Sequence, residues 1–246
     1  MKWDIRRTEE TGSTNEDAFA LGKAGAPAGT VCVAETQTRG RGRMDRSWFS
    51  PPGAGLYCSV LLRPSLSLPD AGLLSFCAAL AMTGAVRETG LRAAVKWPND
   101  IVCGGRKICG ILSACDGENG RVRFAVIGAG LNLFPGSYPE ELRERAACLA
   151  DFGIRPEKEA ILQHYLNGLS QTVEILEKEG FAPLRRRLSE ICVLLSRPVK
   201  VSGSRSLEGI AEGIGDHGEL LVRTAGGNLI PVTCGDVSVR GENGYV

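Results

Sequence analysis

Hydrophobic positions recur along the chain with the two periods that distinguish helices from strands. Apolar spacing and helix-end signals predict helices over 13–23, 70–88, 157–178 and 181–195. Ser13 followed by Glu16 matches the S-x-x-E capping box, which predicts that Ser13 caps the first helix. Alternating or β-branched residues predict strands over 30–35, 56–62, 93–97, 100–103, 108–115 and 122–129. Because the last four strands follow one another without intervening helices, we expect mostly antiparallel pairing.

The pattern changes at Pro198. Beyond it, short strand-like runs alternate with glycine turns, at 199–202, 209–213, 219–223, 229–233 and 237–240. About 50 residues of this kind are typical of a small β-barrel rather than of a stand-alone enzyme. We therefore place a domain boundary near Leu195. The prediction is an α+β domain with a mostly antiparallel sheet over 1–195, followed by a small barrel over 196–246.

The composition is that of a globular protein with balanced charge. Among 246 residues, 29 Lys and Arg face 28 Asp and Glu, for a net charge of +1. No overall basic surplus is therefore present with which to bind nucleic acid. The most apolar stretch, Leu73–Met82, is shorter than the roughly 20 residues needed to cross a bilayer, and no signal peptide is evident. We expect a protein that binds neither DNA nor a membrane.

The cysteines and histidines limit the kinds of metal site and catalytic mechanism that the sequence supports. The nine cysteines form no C-x-x-C pair and no zinc-binding spacing, which is typical of reduced structural thiols in the cytoplasm. The only two histidines, His164 and His217, have no nucleophile beside them in the sequence. This disfavours a mechanism with a histidine general base. We expect chemistry that depends on positive charge and on positioning.

One loop concentrates positive charge. Residues 39–46 read RGRGRMDR, so four arginines alternate with small residues. Glycine lets the backbone approach a ligand closely, and guanidinium groups bind phosphate or carboxylate through fixed pairs of donors. We expect the loop to be mobile when empty and to order over an anion. The alternatives are a solvated basic loop or a nucleic-acid patch.

Two further segments stand out. The run 96–100, KWPND, joins two predicted strands, and Lys96 at a strand end is placed to project its ammonium into a cleft. Asn99 and Asp100 in the same run have the alternative role of shaping the turn. The run 128–132, GAGLN, ends a strand with small residues, which indicates a close approach to the backbone. It is not a G-x-G-x-x-G dinucleotide motif, because Leu133 stands where the third glycine belongs.

In this order and spacing the segments resemble the bacterial biotin–protein ligase family, over nearly the whole chain. The tail resembles that family's C-terminal barrel through 235–238, GDVS. The other segments that carry the resemblance are Ser13-Thr14-Asn15, Glu35, Gln37, the loop 40–43, Trp48, the run 96–100, Lys107 with 110–112, and the run 128–132.

The resemblance implies a fold and an activity. The fold is the catalytic domain shared by biotin and lipoate ligases, similar to class II aminoacyl-tRNA synthetases, with a small C-terminal Src-homology-3-like β-barrel. The activity is that of a cytoplasmic biotin–[acetyl-CoA-carboxylase] ligase. Such an enzyme makes biotinyl-5′-AMP from biotin and ATP with Mg²⁺, and then transfers biotin to one lysine of a biotin carboxyl carrier protein.

The resemblance also assigns roles to residues. Catalysis falls to Arg43, Lys96 and Lys107. ATP binding falls to Arg41, Arg43, Trp48, Lys107 and Asn132. Biotin binding falls to Ser13, Thr14, Asn15, Gln37, Arg41, Gly42, Arg43 and Lys96. The alternatives are that Ser13 only caps its helix and that Trp48 is a core residue. No residue is assigned to the metal.

One position departs from the family pattern. Asp45 stands where the family's G-R-G-R-x-G-R-x-W loop has its third glycine. Asp45 either pairs with Arg46 or lowers the rate of adenylate formation, and we expect a modest loss of rate. Only 12 residues precede Ser13, fewer than the N-terminal DNA-binding domain of some members needs.

Two other functions compete with this one. A lipoate–protein ligase shares the fold, although the KWPND run and the G-R-G-R loop favour biotin. A biotin-binding or regulatory module without catalysis has Asp45 as its only support. A sheet edge left exposed offers a place for the carrier or for a second copy of the chain to pair.

Overall fold

The computed structural model describes residues 1–203, 206–234, 237–241 and 245. The helices are α1 (Thr14–Lys23), α2 (Leu73–Arg87), α3 (Lys158–Glu179) and α4 (Ala182–Ile191). The strands are β1 (Asp4–Thr11), β2 (Thr30–Gln37), β3 (Gly55–Leu62), β4 (Ala94–Lys96), β5 (Asp100–Cys103), β6 (Arg106–Glu118), β7 (Arg121–Asn132), β8 (Pro198–Gly203), β9 (Leu207–Ile214), β10 (Leu220–Arg223), β11 (Leu229–Val232) and β12 (Val237–Gly241). Every helix and strand predicted from the sequence is present, with ends that differ by a few residues.

The first seven strands form one mixed sheet in the order β1-β2-β3-β7-β6-β5-β4. All neighbours are antiparallel except β1 and β2, which are parallel. This confirms the α+β class and the mostly antiparallel sheet. Strand β1 was not predicted, because its sequence, DIRRTEET, is polar on both faces and its side chains are largely exposed. It forms an exposed edge of the sheet.

The core lies on both faces of this sheet. All eight residues of β3 are buried, because helices cover the strand from either side. Helices α2 and α3 pack together on one face, while α1 packs on the other through Ala18, which contacts Leu61 and Phe124. The helical stretch Pro69–Arg87 is long and apolar enough to cross a membrane by length and composition, but 67% of it is buried within the protein. Its apolar surface is therefore core surface here.

The last five strands form a second, antiparallel sheet in the order β11-β10-β9-β8-β12. This agrees with the small Src-homology-3-like domain predicted at the C-terminus, although no pairing closes it into a barrel among the residues described. Its buried side chains, such as Val201 and Leu220, belong to the same apolar cluster as the larger domain. Trp97 Nε1, at the β4–β5 turn, donates to Gly218 O at 2.9 Å. Of the run 235–238, Gly235 and Asp236 lie outside the described residues.

The predicted capping box is wrong. Ser13 is the N-cap of α1 in extended conformation, but its side chain makes no capping hydrogen bond. Glu16 does not reach back to the cap either. Its carboxylate pairs instead with Arg39 at 3.1 Å and with Arg41 at 2.5 Å. Two guanidinium groups outcompete one backbone N–H for the carboxylate, because a charged hydrogen bond is about twice as strong as a neutral one.

Candidate functional site

All the site residues predicted from the sequence line one cavity of about 710 Å³. It lies against the β2, β6 and β7 strands, below the arginine loop and beside the β4–β5 turn. The nominated residues that line it are Ser13, Thr14, Asn15, Gln37, Arg41, Gly42, Arg43, Trp48, Lys96, Lys107 and Asn132. The fold thus brings segments more than 100 residues apart to a single site.

A network of neutral polar side chains forms the end of the cavity next to α1. Gln37 Oε1 accepts from the backbone N–H of Thr14 at 2.9 Å. Ser59 Oγ lies 2.8 Å from Thr14 Oγ1 and donates to Asn15 Oδ1 at 2.6 Å. Asn15 Nδ2 donates in turn to Leu112 O at 3.3 Å. Ser59, fully buried on β3, was not nominated, because nothing in its strand sequence separates it from a core position.

The glycines of β6 and β7 make room for the side chains of Asn15 and Trp48. A Cβ at Gly128 would lie 2.2 Å from Asn15 Oδ1, and a Cβ at Gly130 would lie 2.4 Å from Trp48 Nε1. Gly110, paired with Gly130 in the sheet, would place a Cβ 3.0 Å from Trp48 Cζ3. The close approach expected at 128–132 is therefore made by side chains of the protein itself. Trp48 is half-buried at the cavity wall, so it is not a core residue.

Two lysines and one aspartate lie together at the β4–β5 turn. Lys107 Nζ forms an ion pair with Asp100 Oδ1 at 2.6 Å and lies 5.0 Å from the centre of the Trp48 ring. Lys96 is only 5% exposed. Burial, opposed by the charge of Asp100 and aided by those of Lys107, Arg240 and Arg46, lowers the pKa of Lys96 to about 8. Its ammonium charge is thus poised to respond to an arriving anion.

Asp100 stays ionised although it is largely buried. Burial alone would raise its pKa, but the Lys107 ammonium, hydrogen bonds from Lys107 and from the Tyr245 hydroxyl, and the charge of Lys96 together hold the pKa below its ordinary value. Asn99 is also tied to the site. It donates to Ile111 O at 2.7 Å and accepts from Arg43 at 3.1 Å. Both residues therefore do more than shape the turn.

The arginine loop divides its charges between two directions. Arg43 points toward the β4–β5 turn, where it donates to Asn99 Oδ1 and to Cys234 O. Arg41 points to α1 and pairs with Glu16. Met44 and Asp45 have φ values of 57° and 55°, the left-handed region that favours glycine. No basic side chain of the described residues lies within 4.0 Å of the Asp45 carboxylate, so the expected alternative of pairing with Arg46 is wrong.

The C-terminal part of the chain supplies residues that were not nominated. Arg240, at the end of β12, and Tyr245 both line the cavity. Lys96 Nζ lies 3.6 Å from the centre of the Tyr245 ring, and the Tyr245 hydroxyl donates to Asp100 Oδ2. These contacts span about 145 residues of sequence and have no local signal. A tyrosine in an otherwise polar tail, RGENGYV, was the only hint.

Three residues that line the cavity each carry a buried polar atom without a hydrogen-bond partner among the described residues. Trp48 Nε1, Asn132 Oδ1 and Ser137 Oγ are buried and make no hydrogen bond within the described part of the chain. Asn132 is fixed by its amide nitrogen, which donates to Ala147 O at 3.0 Å. Buried polar atoms are normally satisfied, so a group of orphaned ones that lines a cavity indicates a polar ligand.

Comparison with known proteins identifies this arrangement. Residues 6–132 match the biotin/lipoate A/B protein ligase family, and residues 195–240 match the biotin protein ligase C-terminal domain. A biotin–[acetyl-CoA-carboxylase] ligase of Mycobacterium tuberculosis is 34% identical over 242 residues, which cover 93% of this chain and 86% of the relative. The bifunctional ligase/repressor BirA of Bacillus subtilis is 34% identical over 220 residues, 86% of this chain and 67% of the relative.

A solved structure agrees over almost its full length. The biotin protein ligase of Aquifex aeolicus, in complex with biotin and ATP, superimposes with a TM-score of 0.84 and 28% identity, covering 97% of this chain and 99% of the other. The fold and the family matches lead to one assignment. The chain belongs to the biotin/lipoate A/B protein ligase family.

Proposed function

We propose that the protein is an ATP-dependent biotin protein ligase. It joins biotin to AMP as biotinyl-5′-AMP with release of pyrophosphate, and then transfers the biotinyl group to a lysine of a biotin carboxyl carrier protein with release of AMP. One observation carries the proposal. Arg43, Lys96 and Lys107 converge on a cavity whose other walls are a neutral polar network and an aromatic side chain with unsatisfied polar neighbours.

The first reaction needs the cations. A biotin carboxylate oxygen attacks the α-phosphorus of ATP and forms a new oxygen–phosphorus bond. The bond between the α-phosphorus and the α,β-bridging oxygen breaks, and pyrophosphate leaves with its electron pair. Both reactants are anions that repel each other, so their charge must be offset and the two groups held in line. Lys96, Lys107 and Arg43 supply three positive charges at one place. No base is required, because the carboxylate is ionised at neutral pH.

Biotin binding is assigned to the α1 end of the cavity. The proposed residues are Ser13, Thr14, Asn15, Gln37, Arg41, Gly42, Arg43 and Lys96. The Thr14–Gln37–Ser59–Asn15 network holds neutral donors and acceptors in fixed orientations, as a neutral polar ring system requires. Arg41 is joined to Glu16 on the surface, so it must leave that exposed pair to contact the ligand. An exposed pair contributes little, and the exchange costs little.

ATP binding is assigned to the opposite end. The proposed residues are Arg41, Arg43, Trp48, Lys107 and Asn132. Trp48 presents a flat face against which a purine can stack. Asn132 Oδ1, buried and without a partner, is an acceptor suited to the exocyclic amino group of adenine.

Magnesium is assigned to the nucleotide rather than to the protein. Within the part of the chain that the structure describes, no group of three His, Cys, Asp or Glu side chains is arranged to hold a metal ion. Asp100, the carboxylate within the cationic cluster, is already paired with Lys107. The described residues therefore do not fit a metal ion held by the protein itself.

The second reaction transfers the biotinyl group. The ε-amine of the carrier lysine attacks the acyl carbon of the adenylate, the bond from that carbon to the phosphate oxygen breaks, and AMP leaves while the amine loses a proton to solvent. The expected partner is the biotin carboxyl carrier domain of acetyl-CoA carboxylase, and the expected compartment is the cytoplasm, in keeping with nine free cysteines. Residues 1–195 are proposed as the catalytic domain and 196–246 as the C-terminal domain.

The test combines the protein with an apo carrier domain, MgATP and labelled biotin. Label that stays on the carrier after denaturation, and is absent from a carrier with its acceptor lysine replaced by Arg, supports the ligase. Lys96→Ala is expected to abolish labelling. Lys200→Ala is the matched control, because that lysine is exposed on β8 and pairs only with Glu208. Tight binding of biotin without transfer contradicts catalysis, and full competition by lipoate contradicts the biotin specificity.

A further inference from the structure

Tyr245 reaches the centre of the site from the end of the chain. Its ring lies against the Lys96 ammonium, with 3.6 Å between Nζ and the ring centre. Its hydroxyl donates to Asp100 Oδ2. Burial and the neighbouring Asp100 carboxylate raise the pKa of the phenol, so the hydroxyl keeps its proton and remains a donor. One side chain thus touches both the buried cation and the buried anion.

Each carboxylate oxygen of Asp100 already contacts a group other than Lys96. Its Oδ1 is paired with Lys107 Nζ at 2.6 Å, and its Oδ2 accepts from Tyr245. Lys96 lies directly opposite Asp100 in the β4–β5 pairing, yet no carboxylate of the described residues lies within 4.0 Å of its ammonium. An aspartate and a lysine that face each other on neighbouring strands ordinarily attract. Here Tyr245 contacts both side chains in place of a direct ion pair between them.

We propose that Tyr245 is a positioning residue for adenylate formation, which holds Asp100 away from Lys96 and supports the lysine through its ring. This inference rests on the proposed function. An aromatic face stabilises an ammonium without taking a carboxylate's place on its N–H donors. Those donors then remain available to the biotin carboxylate and the α-phosphate. A direct Lys96–Asp100 pair would have to be broken by each incoming substrate.

The arrangement also explains why the site tolerates a nearly buried lysine. Lys96 is 5% exposed, and a buried ammonium normally needs a partner. The Tyr245 ring supplies part of that stabilisation, whereas Lys107, Arg46 and Arg240 oppose the charge and Asp100 favours it from farther away. The pKa of Lys96 therefore lies at about 8 in the free enzyme, and an anionic substrate stabilises its ammonium further.

The closing experiment measures biotin-dependent ATP–pyrophosphate exchange for the full chain and its variants. Tyr245→Phe keeps the ring and removes the hydroxyl, so Asp100 Oδ2 is free to turn toward Lys96. We expect kcat/KM to fall by about tenfold, as for loss of a hydrogen bond to a charged group. The alkaline limb of the pH profile should move to higher pH, because a closer carboxylate raises the pKa of the lysine. A merely structural role would not move this limb.

Two further proteins make the test specific. In an Asp100→Asn background, Tyr245→Phe should have no further effect, because no carboxylate remains to capture Lys96. Tyr165→Phe removes a hydroxyl that is buried in the core without a hydrogen-bond partner among the described residues, and should leave exchange unchanged.

The outcomes separate the two levels of the proposal. If the wild-type protein catalyses exchange and the activity of Tyr245→Phe lies within about twofold of the wild-type activity, the role of Tyr245 is overturned and the ligase assignment stays intact. An equal loss in the Asp100→Asn background also overturns it. Absence of biotin-dependent exchange in the wild-type protein, measured with a folded sample, overturns the proposed function and the inference together.

Discussion

Gly130→Ala should impair the nucleotide side of the site and spare the biotin side. Trp48 lies on a flat surface made by Gly110 and Gly130, which are paired between β6 and β7. A Cβ at Gly130 would lie 2.4 Å from Trp48 Nε1 and 2.6 Å from Cε2, where ordinary contacts begin at 3.4 Å. The indole must therefore retreat by about 1 Å, because β7 is hydrogen-bonded to strands on both sides whereas the Trp48 side chain is half-buried at the cavity wall.

The magnitude follows from this displacement. Overpacking of this kind costs about 1–3 kcal/mol, and a loss of about 1.4 kcal/mol in ATP binding corresponds to a tenfold change. We expect KM for ATP in pyrophosphate exchange to rise about tenfold. Biotin affinity, measured calorimetrically without ATP, should change by less than about twofold, because the Thr14–Gln37–Ser59–Asn15 network does not touch Gly130.

The control is Gly213→Ala in β9. Gly213 is a strand glycine like Gly130, but it has room for a methyl group. Its Cβ would meet only Leu221 Cδ1, at 3.9 Å, so KM for ATP should not change. The reasoning is refuted if Gly130→Ala leaves KM for ATP unchanged, or if it weakens biotin and ATP equally. The second result would mean that the substitution distorts the whole sheet rather than the Trp48 platform.

Two more predictions concern charge and backbone strain. Burial lowers the pKa of Lys96 to about 8, so the side chain is charged well below that pH and loses its charge as the pH rises through it. The value of kcat/KM for exchange should therefore fall on an alkaline limb near pH 8. A profile that stays flat to about pH 9.5 would contradict this. Lys96→Arg should remove the limb. Asp45→Gly should relieve a left-handed backbone (φ 55°) and remove a negative charge from the arginine loop, raising the exchange rate about twofold. Asn119→Gly, at φ 51° in the β6–β7 turn, should leave the rate unchanged, and an unchanged rate in Asp45→Gly would dismiss any effect of Asp45.

Apolar periodicity was sufficient to predict most of the fold. Helix α3 carries a continuous apolar stripe and strand β3 is buried throughout, so burial leaves a direct record in their sequences. Strand β1 leaves none, since its backbone pairs with β2 while its side chains remain in solvent. The capping box failed for a related reason. Glu16 was paired by arginines from a loop more than 20 residues away, and a local motif cannot report such a competitor.

The residues of the candidate site likewise fall into those that local sequence motifs predicted and those that they did not. Motifs located the residues that are clustered along the chain, such as the run 96–100 and the loop 40–43, and the cavity contains them. Ser59, Arg240 and Tyr245 escaped notice because each is placed by tertiary packing. Asp100 was recognised only as part of a turn, because its function depends on Lys107 and Tyr245, which the sequence does not place beside it.

The contacts of the C-terminal sheet indicate that the domain boundary and the site boundary differ. All the residues nominated for catalysis precede Leu195, but the groups that restrain them come from beyond it. Gly218 O accepts from the Trp97 indole at the turn, Cys234 O accepts from Arg43, and Tyr245 contacts both Asp100 and Lys96. Each of these contacts acts on a different part of the charged cluster, so residues beyond the proposed boundary contribute to the geometry of a site whose predicted catalytic residues precede it.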